Sequence, residues 1–283
     1  MTNQHPLTDH NFENIRVEID GPVLVVTIDR PEVRNAVDGP TAAELYEAFI
    51  AFDQTDELSV AVLTGGSGTF CAGADLKAIA DGRGNPVHRA PGSEIMGSMG
   101  PVGPSRLLLS KPTIAAVEGH AVAGGLELAV WCDLRVMASD ATFGVYCRRW
   151  GVPLVDGGTI RLPRLIGQSR ALDLILTGRE VLGPEALEIG LANRVSEPGQ
   201  ALALARQLAH ELATLPQRCL RSDRQSLFEQ WSLDLGDALS HETDLGLATI
   251  RSGETRDGAS RFAGGAGRHG TRAPLDPAAV DDD

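Results

Sequence analysis

The sequence is short of basic residues, and of lysine in particular. It has 25 lysines and arginines against 38 aspartates and glutamates, which gives a formal net charge of −13, and only Lys77 and Lys111 are lysines. Because nucleic acids and anionic membranes are bound by basic surfaces, this balance argues against a general binder of either. The arginines remain compatible with a small phosphorylated ligand, since guanidinium groups make forked contacts with phosphate.

Motifs for metals, disulfides and membrane spans are also lacking. The seven histidines follow no metal-ligand spacing, and HExxH does not occur. The cysteines at positions 71, 132, 147 and 219 form no CxxC pair, so we expect reduced thiols that mostly pack in the core. No run of about 20 apolar residues could span a bilayer, and residues 1–12 do not resemble a secretory signal. We therefore expect a cytoplasmic protein without a metal.

The sequence does contain regular strand-like and helix-like segments. Residues 15–30 indicate two strands joined at Asp20-Gly21, and residues 41–54 have the apolar period of a helix. Alternation of strands and helices continues to about residue 200 and favours an α/β class, whereas the later segments are helical. These patterns predict a core over residues 1–200, a helical C-terminal subdomain over 201–265 and an extended tail over 266–283.

Two segments of the predicted core look alike. Residues 60–80 and residues 113–131 each pass from an apolar strand through a turn of small residues into a helix. The first backbone N–H groups of a helix lack intrahelical acceptors, and glycine and alanine leave room for a ligand to reach them. The intervening residues 81–105 are rich in Gly, Pro and Ser, so we expect a long loop with a short helix near residues 94–99.

If both turns face one cavity, their N–H groups could hold a single carbonyl oxygen, as in an oxyanion hole. Glu127 follows Gly124 by three residues, so it lies on the same helix face and could move a proton next to that carbonyl. Its apolar neighbours would raise the pKa of its carboxyl group. The structural alternative is that small residues merely fit tight turns and that Glu127 favours the helix dipole or caps the helix.

Four motifs together resemble the crotonase, or enoyl-CoA hydratase/isomerase, family. They are DRPEVRNAV (29–37), GTFCAGADLKAIA (68–80), AAVEGHAVAGGLELAVWCDLRVMA (115–138) and DGGTIRLPRLIG (156–167), within a resemblance that covers roughly residues 12–268. The resemblance implies a spiral of ββα units and a helical C-terminal region used to form a homotrimer, commonly as a dimer of trimers. It also implies an acyl-CoA thioester as substrate and an enolate intermediate. No separate cofactor is implied, because coenzyme A is part of the substrate.

Residue roles follow from the same motifs. The resemblance implies that the N–H groups of Ala72 and Gly124 hold the thioester oxygen, and that Glu127 is the first of two glutamates around the attacking water. Arg34 matches a basic position that contacts coenzyme A phosphates, and the AGAD stretch lines the adenine side of the pocket. The residues implied to bind substrate or coenzyme A are Arg34, Ala72, Gly73, Ala74, Asp75, Leu76 and Gly124.

The sequence departs from the hydratase pattern at the second glutamate, whose position is occupied by Cys147. A thiol cannot reproduce the proton handling of a carboxylate, and Asp156 is the acid that could replace it. The resemblance thus predicts, nominally, reversible hydration of a 2-enoyl-CoA to a 3-hydroxyacyl-CoA. The alternatives are a double-bond isomerase, decarboxylase, dehalogenase or thioesterase of the same family, or a coenzyme A-binding protein that has lost catalysis.

Overall fold

The computed structural model describes Leu7, residues 12–89 and residues 91–267. The chain divides into two units, one ending at Ala209 and the other beginning at His210. The sequence analysis set the boundary between residues 200 and 201, just before the helix Ala201–Ala213. The observed division lies inside that helix. Residues 268–283, most of the predicted tail, lie outside the described residues. No helix of the described part of the chain has the length and apolarity needed to cross a bilayer.

A six-stranded sheet forms the centre of the first unit. Its strands are β1 (Ile15–Asp20), β2 (Val23–Ile28), β3 (Val60–Gly65), β4 (Thr113–Val117), β6 (Leu134–Ala138) and β9 (Arg194–Ser196). They lie in the order β1-β2-β3-β4-β6-β9, with only β1 antiparallel to its neighbour. The inner strands are almost continuous apolar runs because both faces of a parallel sheet are covered.

A smaller sheet and, among residues 12–89 and 91–209, eight α-helices complete this unit. Strand β5 (His120–Val122) pairs in parallel with β7 (Thr142–Gly144), and β7 pairs antiparallel with β8 (Glu180–Leu182). The predicted α/β class is thereby confirmed. The helices are α1 (Gly39–Gln54), α2 (Leu76–Ala80), α3 (Gly92–Ile95), α4 (Gly124–Trp131), α5 (Gly158–Ile166), α6 (Gln168–Thr177), α7 (Gly183–Glu188) and α8 (Ala201–Ala213), the last of which extends into the second unit.

The local predictions near the N-terminal end of the core are confirmed. Strands β1 and β2 form the hairpin at Asp20-Gly21, with Asp20 opposite Val23. Helix α1 buries its predicted apolar face and is capped by Asp38, whose carboxylate accepts the Thr41 N–H. At the other end, Lys111 donates to the carbonyl oxygens of Phe52 in the last turn and of Thr55 just after it. The buried face of α1 includes Leu45, Ala48, Phe49 and Phe52.

The second unit is helical, as its apolar period predicts. It contains α9 (Gln217–Glu229), α10 (Leu235–Arg251) and α11 (Glu254–Ala263). Asp234 caps α10 by accepting the N–H of Asp237. Glu254 accepts the N–H groups of Arg218 and Cys219 at the start of α9. These caps fix where the helices begin.

Candidate active site

The second of the two small-residue turns opens helix α4 directly. Ala123 precedes the helix at φ 55° and ψ −124°, a conformation normally reserved for glycine, and its N–H donates to the Gly144 carbonyl oxygen at 2.8 Å. No side chain caps α4. The N–H of Gly124, the first helical residue, finds no acceptor among the described residues. The strained Ala123 thus holds a free donor at the start of a buried helix.

The first turn presents a free N–H from an extended segment instead. Val37 donates to the carbonyl oxygen of Gly73 at 2.8 Å and accepts the N–H of Asp75 at 3.0 Å, so the Ala74 N–H between them points away from Val37. In the described part of the chain, nothing accepts it. A Cβ on Gly73 would lie 2.9 Å from the Gly124 nitrogen, and a Cβ on Gly124 would lie 3.5 Å from the Ala74 nitrogen. The two free donors are therefore neighbours.

The geometry corrects the first predicted donor. The N–H of Ala72 donates to the carbonyl oxygen of Arg34 at 3.1 Å and is therefore engaged. Gly73, at φ +92°, turns the chain so that the Ala72 and Ala74 N–H groups face opposite sides. The free donor is Ala74, two residues after the predicted position. The side chain of Arg34 is exposed, while its backbone carries this contact.

Asp75 turns its carboxylate inward rather than toward a ligand. Its Oδ1 accepts the N–H groups of Lys77 and Ala78 at 3.0 and 3.2 Å and so caps α2. Its Oδ2 lies 3.5 Å from Nη2 of Arg30, with both side chains largely buried. Leu76, by contrast, is 42% exposed. This stretch therefore offers a ligand the Ala74 backbone and the Leu76 side chain, but not the Asp75 carboxylate.

Glu127 lies one helical turn beyond Gly124 and is buried, with 2% of its surface exposed. Its Oε1 accepts the backbone N–H groups of Asp156 and Gly158 at 2.9 and 2.8 Å, while Oε2 accepts nothing from the described residues. Burial and then the neighbouring charge of Asp156 raise the pKa of Glu127 to about 7, against the opposing effect of the two N–H donors. A carboxyl group with this pKa can take up or release a proton near neutral pH.

Asp156 is equally buried and is held by Val102 and Ser105, which lie in the segment that the sequence analysis placed between the two turns. Its Oδ1 accepts the Val102 N–H at 3.1 Å and the Ser105 hydroxyl group. Arg161 donates to the carbonyl oxygens of Asp156 and Ser105 at 2.8 and 2.7 Å. Burial is the main cause of a raised pKa at Asp156. Of these partners only Arg161 carries a sequence signal, because it follows Gly157 by one helical turn. Val102 comes from a loop, and Ser105 lies in the short 3-10 helix Pro104–Arg106.

Cys147 lies close enough to Glu127 to sense its charge. It is buried in the 3-10 turn Tyr146–Trp150, and the pKa of its thiol is raised first by burial and then by the negative charge of Glu127. A thiol with a raised pKa stays protonated near neutral pH, so it is neither a carboxylate substitute nor an activated nucleophile. The adjacent Arg148 donates to the carbonyl oxygen of Ile175 at 3.1 Å and fastens this turn to helix α6.

Taken together, the fold and site define a class of protein. Two free N–H groups on neighbouring turns can hold an oxygen on which negative charge develops. A buried carboxyl group whose pKa is about 7 lies one helical turn from one of them. These two features suit an enzyme that forms an enolate from a carbonyl compound, because the N–H groups stabilise the oxyanion and the carboxyl group transfers the proton.

Comparisons with known proteins specify the family. A sequence profile described as enoyl-CoA hydratase/isomerase matches residues 18–265. The chain is 35% identical over 252 residues to the enoyl-CoA hydratase EchA19 of Mycobacterium tuberculosis, covering 87% of this chain and 92% of that protein. It is 39% identical over 202 residues to a carnitinyl-CoA dehydratase of Salmonella arizonae, covering 71% and 74%. The crystal structure of enoyl-CoA hydratase EchA1 from Mycobacterium marinum superposes with a TM-score of 0.82 at 33% identity, covering 93% and 98%. The chain therefore belongs to the enoyl-CoA hydratase/isomerase, or crotonase, family of acyl-CoA enzymes.

Proposed function

We propose that this enzyme catalyses the reversible hydration of a 2-enoyl-CoA to a 3-hydroxyacyl-CoA. The observation that carries this proposal is the placement of Glu127, buried and with a pKa of about 7, beside the free N–H groups of Ala74 and Gly124. Relatives named as a hydratase and as a dehydratase support it, because these names describe the two directions of one type of reaction.

In the proposed addition, the thioester oxygen lies between the N–H groups of Ala74 and Gly124. Oε2 of Glu127 removes a proton from water as the water oxygen bonds to C3, and the C2–C3 electron pair moves toward the thioester oxygen as an enolate. The enolate then collapses as C2 takes a proton. Because Cys147 stays protonated and cannot serve as a second carboxylate, we assign both proton transfers to Glu127. The proton that it removes from water is returned to C2 on the same face.

Turnover of crotonyl-CoA and of longer enoyl-CoA esters by the Glu127→Gln variant tests this mechanism. We expect the substitution to lower kcat by about 10²-fold or more, because it removes the proton-transfer group. The matched control is Glu57→Gln, which changes an exposed glutamate of the same unit. For wild type, kcat/KM should rise with pH through about 7, because the ionised carboxylate is the base. Unchanged turnover in Glu127→Gln would remove this residue from the mechanism.

A second candidate is dehydration of a 3-hydroxyacyl-CoA with a polar acyl group, of the kind named by the Salmonella arizonae relative. The 39% identity to that protein over 202 residues is the observation in its favour. The isomerase, decarboxylase, dehalogenase and thioesterase reactions of the family are separated from both by product analysis over a panel of acyl-CoA esters. A coenzyme A-binding protein without catalysis, which Cys147 favours, would bind these esters in calorimetry and turn over none of them.

We also propose that the chain assembles as a homotrimer or a dimer of trimers. Support comes from large apolar side chains that the second unit leaves exposed on its helices. Light scattering of the purified protein distinguishes the monomer from the trimer and the hexamer. These exposed side chains include Leu227, Leu235, Leu239, Ile250 and Phe262.

A further inference from the structure

We propose that Asp156 is a positioning residue, which fastens residues 100–106 against the Gly124 donor while its own backbone holds Glu127. On this proposal it is not a second proton-transfer group. The kinetic part of the argument depends on the proposed function, whereas the structural part does not.

The carboxylate of Asp156 accepts its hydrogen bonds from residues 100–106, the segment that we propose it fastens. Both donors to Oδ1, the Val102 N–H and the Ser105 hydroxyl, belong to residues 100–106. Arg161 spans the same junction, because its two Nη atoms bind the carbonyl oxygens of Asp156 and Ser105. A Cβ on Gly100 would lie 2.0 Å from the Ser105 Oγ and 3.0 Å from the Asp156 Oδ1. Glycine at position 100 thus leaves the space that this cluster fills.

The fastened segment covers the oxygen-binding donors. A Cβ on Gly124 would lie 3.0 Å from the Cγ1 of Val102, so Val102 packs directly on this donor. On the other side, Nδ2 of Asn85 donates to the carbonyl oxygens of Pro101 and Val37 at 2.6 and 3.0 Å. Val37 is the residue that orients Ala74 through its bridge. Residues 100–106 therefore pack on Gly124 through Val102, and they are linked through Asn85 to Val37, which bridges to Ala74.

Asp156 also connects this segment to Glu127. Its backbone N–H donates to the Glu127 Oε1 at 2.9 Å. Its carboxylate is close enough that its charge helps to raise the pKa of Glu127. One residue therefore acts on the proton-transfer group through its backbone and its charge, and on the oxygen-binding donors through the segment that its side chain holds.

The test compares Asp156→Asn with Asp156→Ala and Ser105→Ala, and uses the exposed Asp140→Asn as control. Asparagine keeps an oxygen that can accept from Val102 and Ser105, so we expect kcat to fall by no more than about threefold. Loss of the charge should move the rise of the pH profile to lower pH. Asp156→Ala removes both acceptors and should lower kcat by about tenfold or more, because the donors are no longer held in place. Ser105→Ala, which leaves Asp156 intact, should give an intermediate loss.

Two readouts do not require turnover. The amide hydrogen of Val102 should exchange faster in Asp156→Ala than in wild type, but not in Asp156→Asn or the control. The pKa of Glu127, followed by carboxyl NMR, should fall in Asp156→Asn.

If wild type hydrates no enoyl-CoA, the proposed function fails and these two measurements still decide the role of Asp156. Loss of kcat in Asp156→Asn as large as in Glu127→Gln would overturn the proposal, as would unaltered Val102 exchange in Asp156→Ala. If Asp156→Ala does not fold, faster Val102 exchange in Ser105→Ala supports the proposal and unaltered exchange there overturns it.

Discussion

The two turns that resemble each other in sequence present the same chemical group by different means. In residues 70–76 the free N–H belongs to Ala74, which bridges to Val37, and the adjacent helix is closed by the carboxylate of Asp75. In residues 122–127 the free N–H belongs to Gly124 at the uncapped start of a helix. In the first turn, Asp75 caps the helix that follows. In the second turn no side chain caps the helix, and the acid, Glu127, lies buried one helical turn further along.

This difference divides the work of the site. The first turn supplies one donor and no acid, because both oxygens of Asp75 bind groups of the protein. The second turn supplies a donor and the proton-transfer carboxyl group from a single buried helix. The site is consequently asymmetric, and changes in the second turn should affect chemistry more strongly than changes in the first.

The contact that joins the two turns should be the most sensitive to substitution. A Cβ on Gly125 would lie 2.1 Å from the carbonyl oxygen of Cys71 and 2.8 Å from its carbonyl carbon. In Gly125→Ala the turns must separate, and we expect a loss of more than about 4 kcal/mol in the free energy of unfolding, measured by urea denaturation.

Gly246→Ala is the matched control for this substitution. Gly246 lies inside helix α10 and has no neighbouring atom within 4 Å of an added Cβ. Alanine should stabilise this helix by about 0.5–1 kcal/mol. If Gly125→Ala changed the free energy of unfolding by less than about 1 kcal/mol, the two turns would not be packed as closely as described.

The comparison also explains what the sequence could predict. Apolar runs and small-residue turns predict both strands, both helices and the burial of Glu127, because these depend on neighbours within one or two turns of chain. The free donor at Ala74 depends on the contact between Ala72 and Arg34, which joins two separate motifs. The carboxylate of Asp156 contacts residues 51 and 54 positions away, one in a short 3-10 helix and the other in a loop. Such contacts have no period, so no pattern in the sequence indicates them.

The buried acid of the second turn should make stability depend on pH. The folded-state pKa of Glu127, about 7, exceeds its ordinary value of 4.5. The folded protein therefore binds the proton more tightly than the unfolded chain, and stability from this group falls as pH rises from 4.5 to 7. Relative to wild type, Glu127→Gln should gain up to about 3 kcal/mol at pH 8 and much less at pH 5. Urea denaturation at the two pH values measures this gain. An equal difference at both would contradict the raised pKa.

Removing the N-terminal cap of helix α2, which follows the first turn, should have a smaller effect on stability. Asp75→Ala removes the two hydrogen bonds that cap α2 and the contact with Arg30, which keeps its ion pair with Asp38 at 2.9 Å. We expect a loss of about 1–2 kcal/mol in thermal or urea unfolding. Asp75→Asn keeps an oxygen acceptor for the cap and should lose less. Equal losses in the two variants would show that the charge, rather than the cap, stabilises this turn.

The smallest effect should follow from relaxing the second turn at Ala123→Gly. Glycine adopts φ 55° and ψ −124° without the strain that alanine bears there, which amounts to about 1–3 kcal/mol. Two costs oppose this gain, namely the greater freedom of glycine in the unfolded chain, about 0.4–1 kcal/mol, and the loss of a buried methyl group, about 0.8 kcal/mol. Taking the middle of each range, we expect a net gain of about 0.5 kcal/mol in urea denaturation. Gly73→Ala is the counterpart in the first turn and should destabilise the protein, because its Cβ would lie 2.9 Å from the Gly124 nitrogen and from the Ala123 Cβ. The reverse pattern, a loss of stability in Ala123→Gly and a gain in Gly73→Ala, would mean that the strain lies in the first turn rather than in the second.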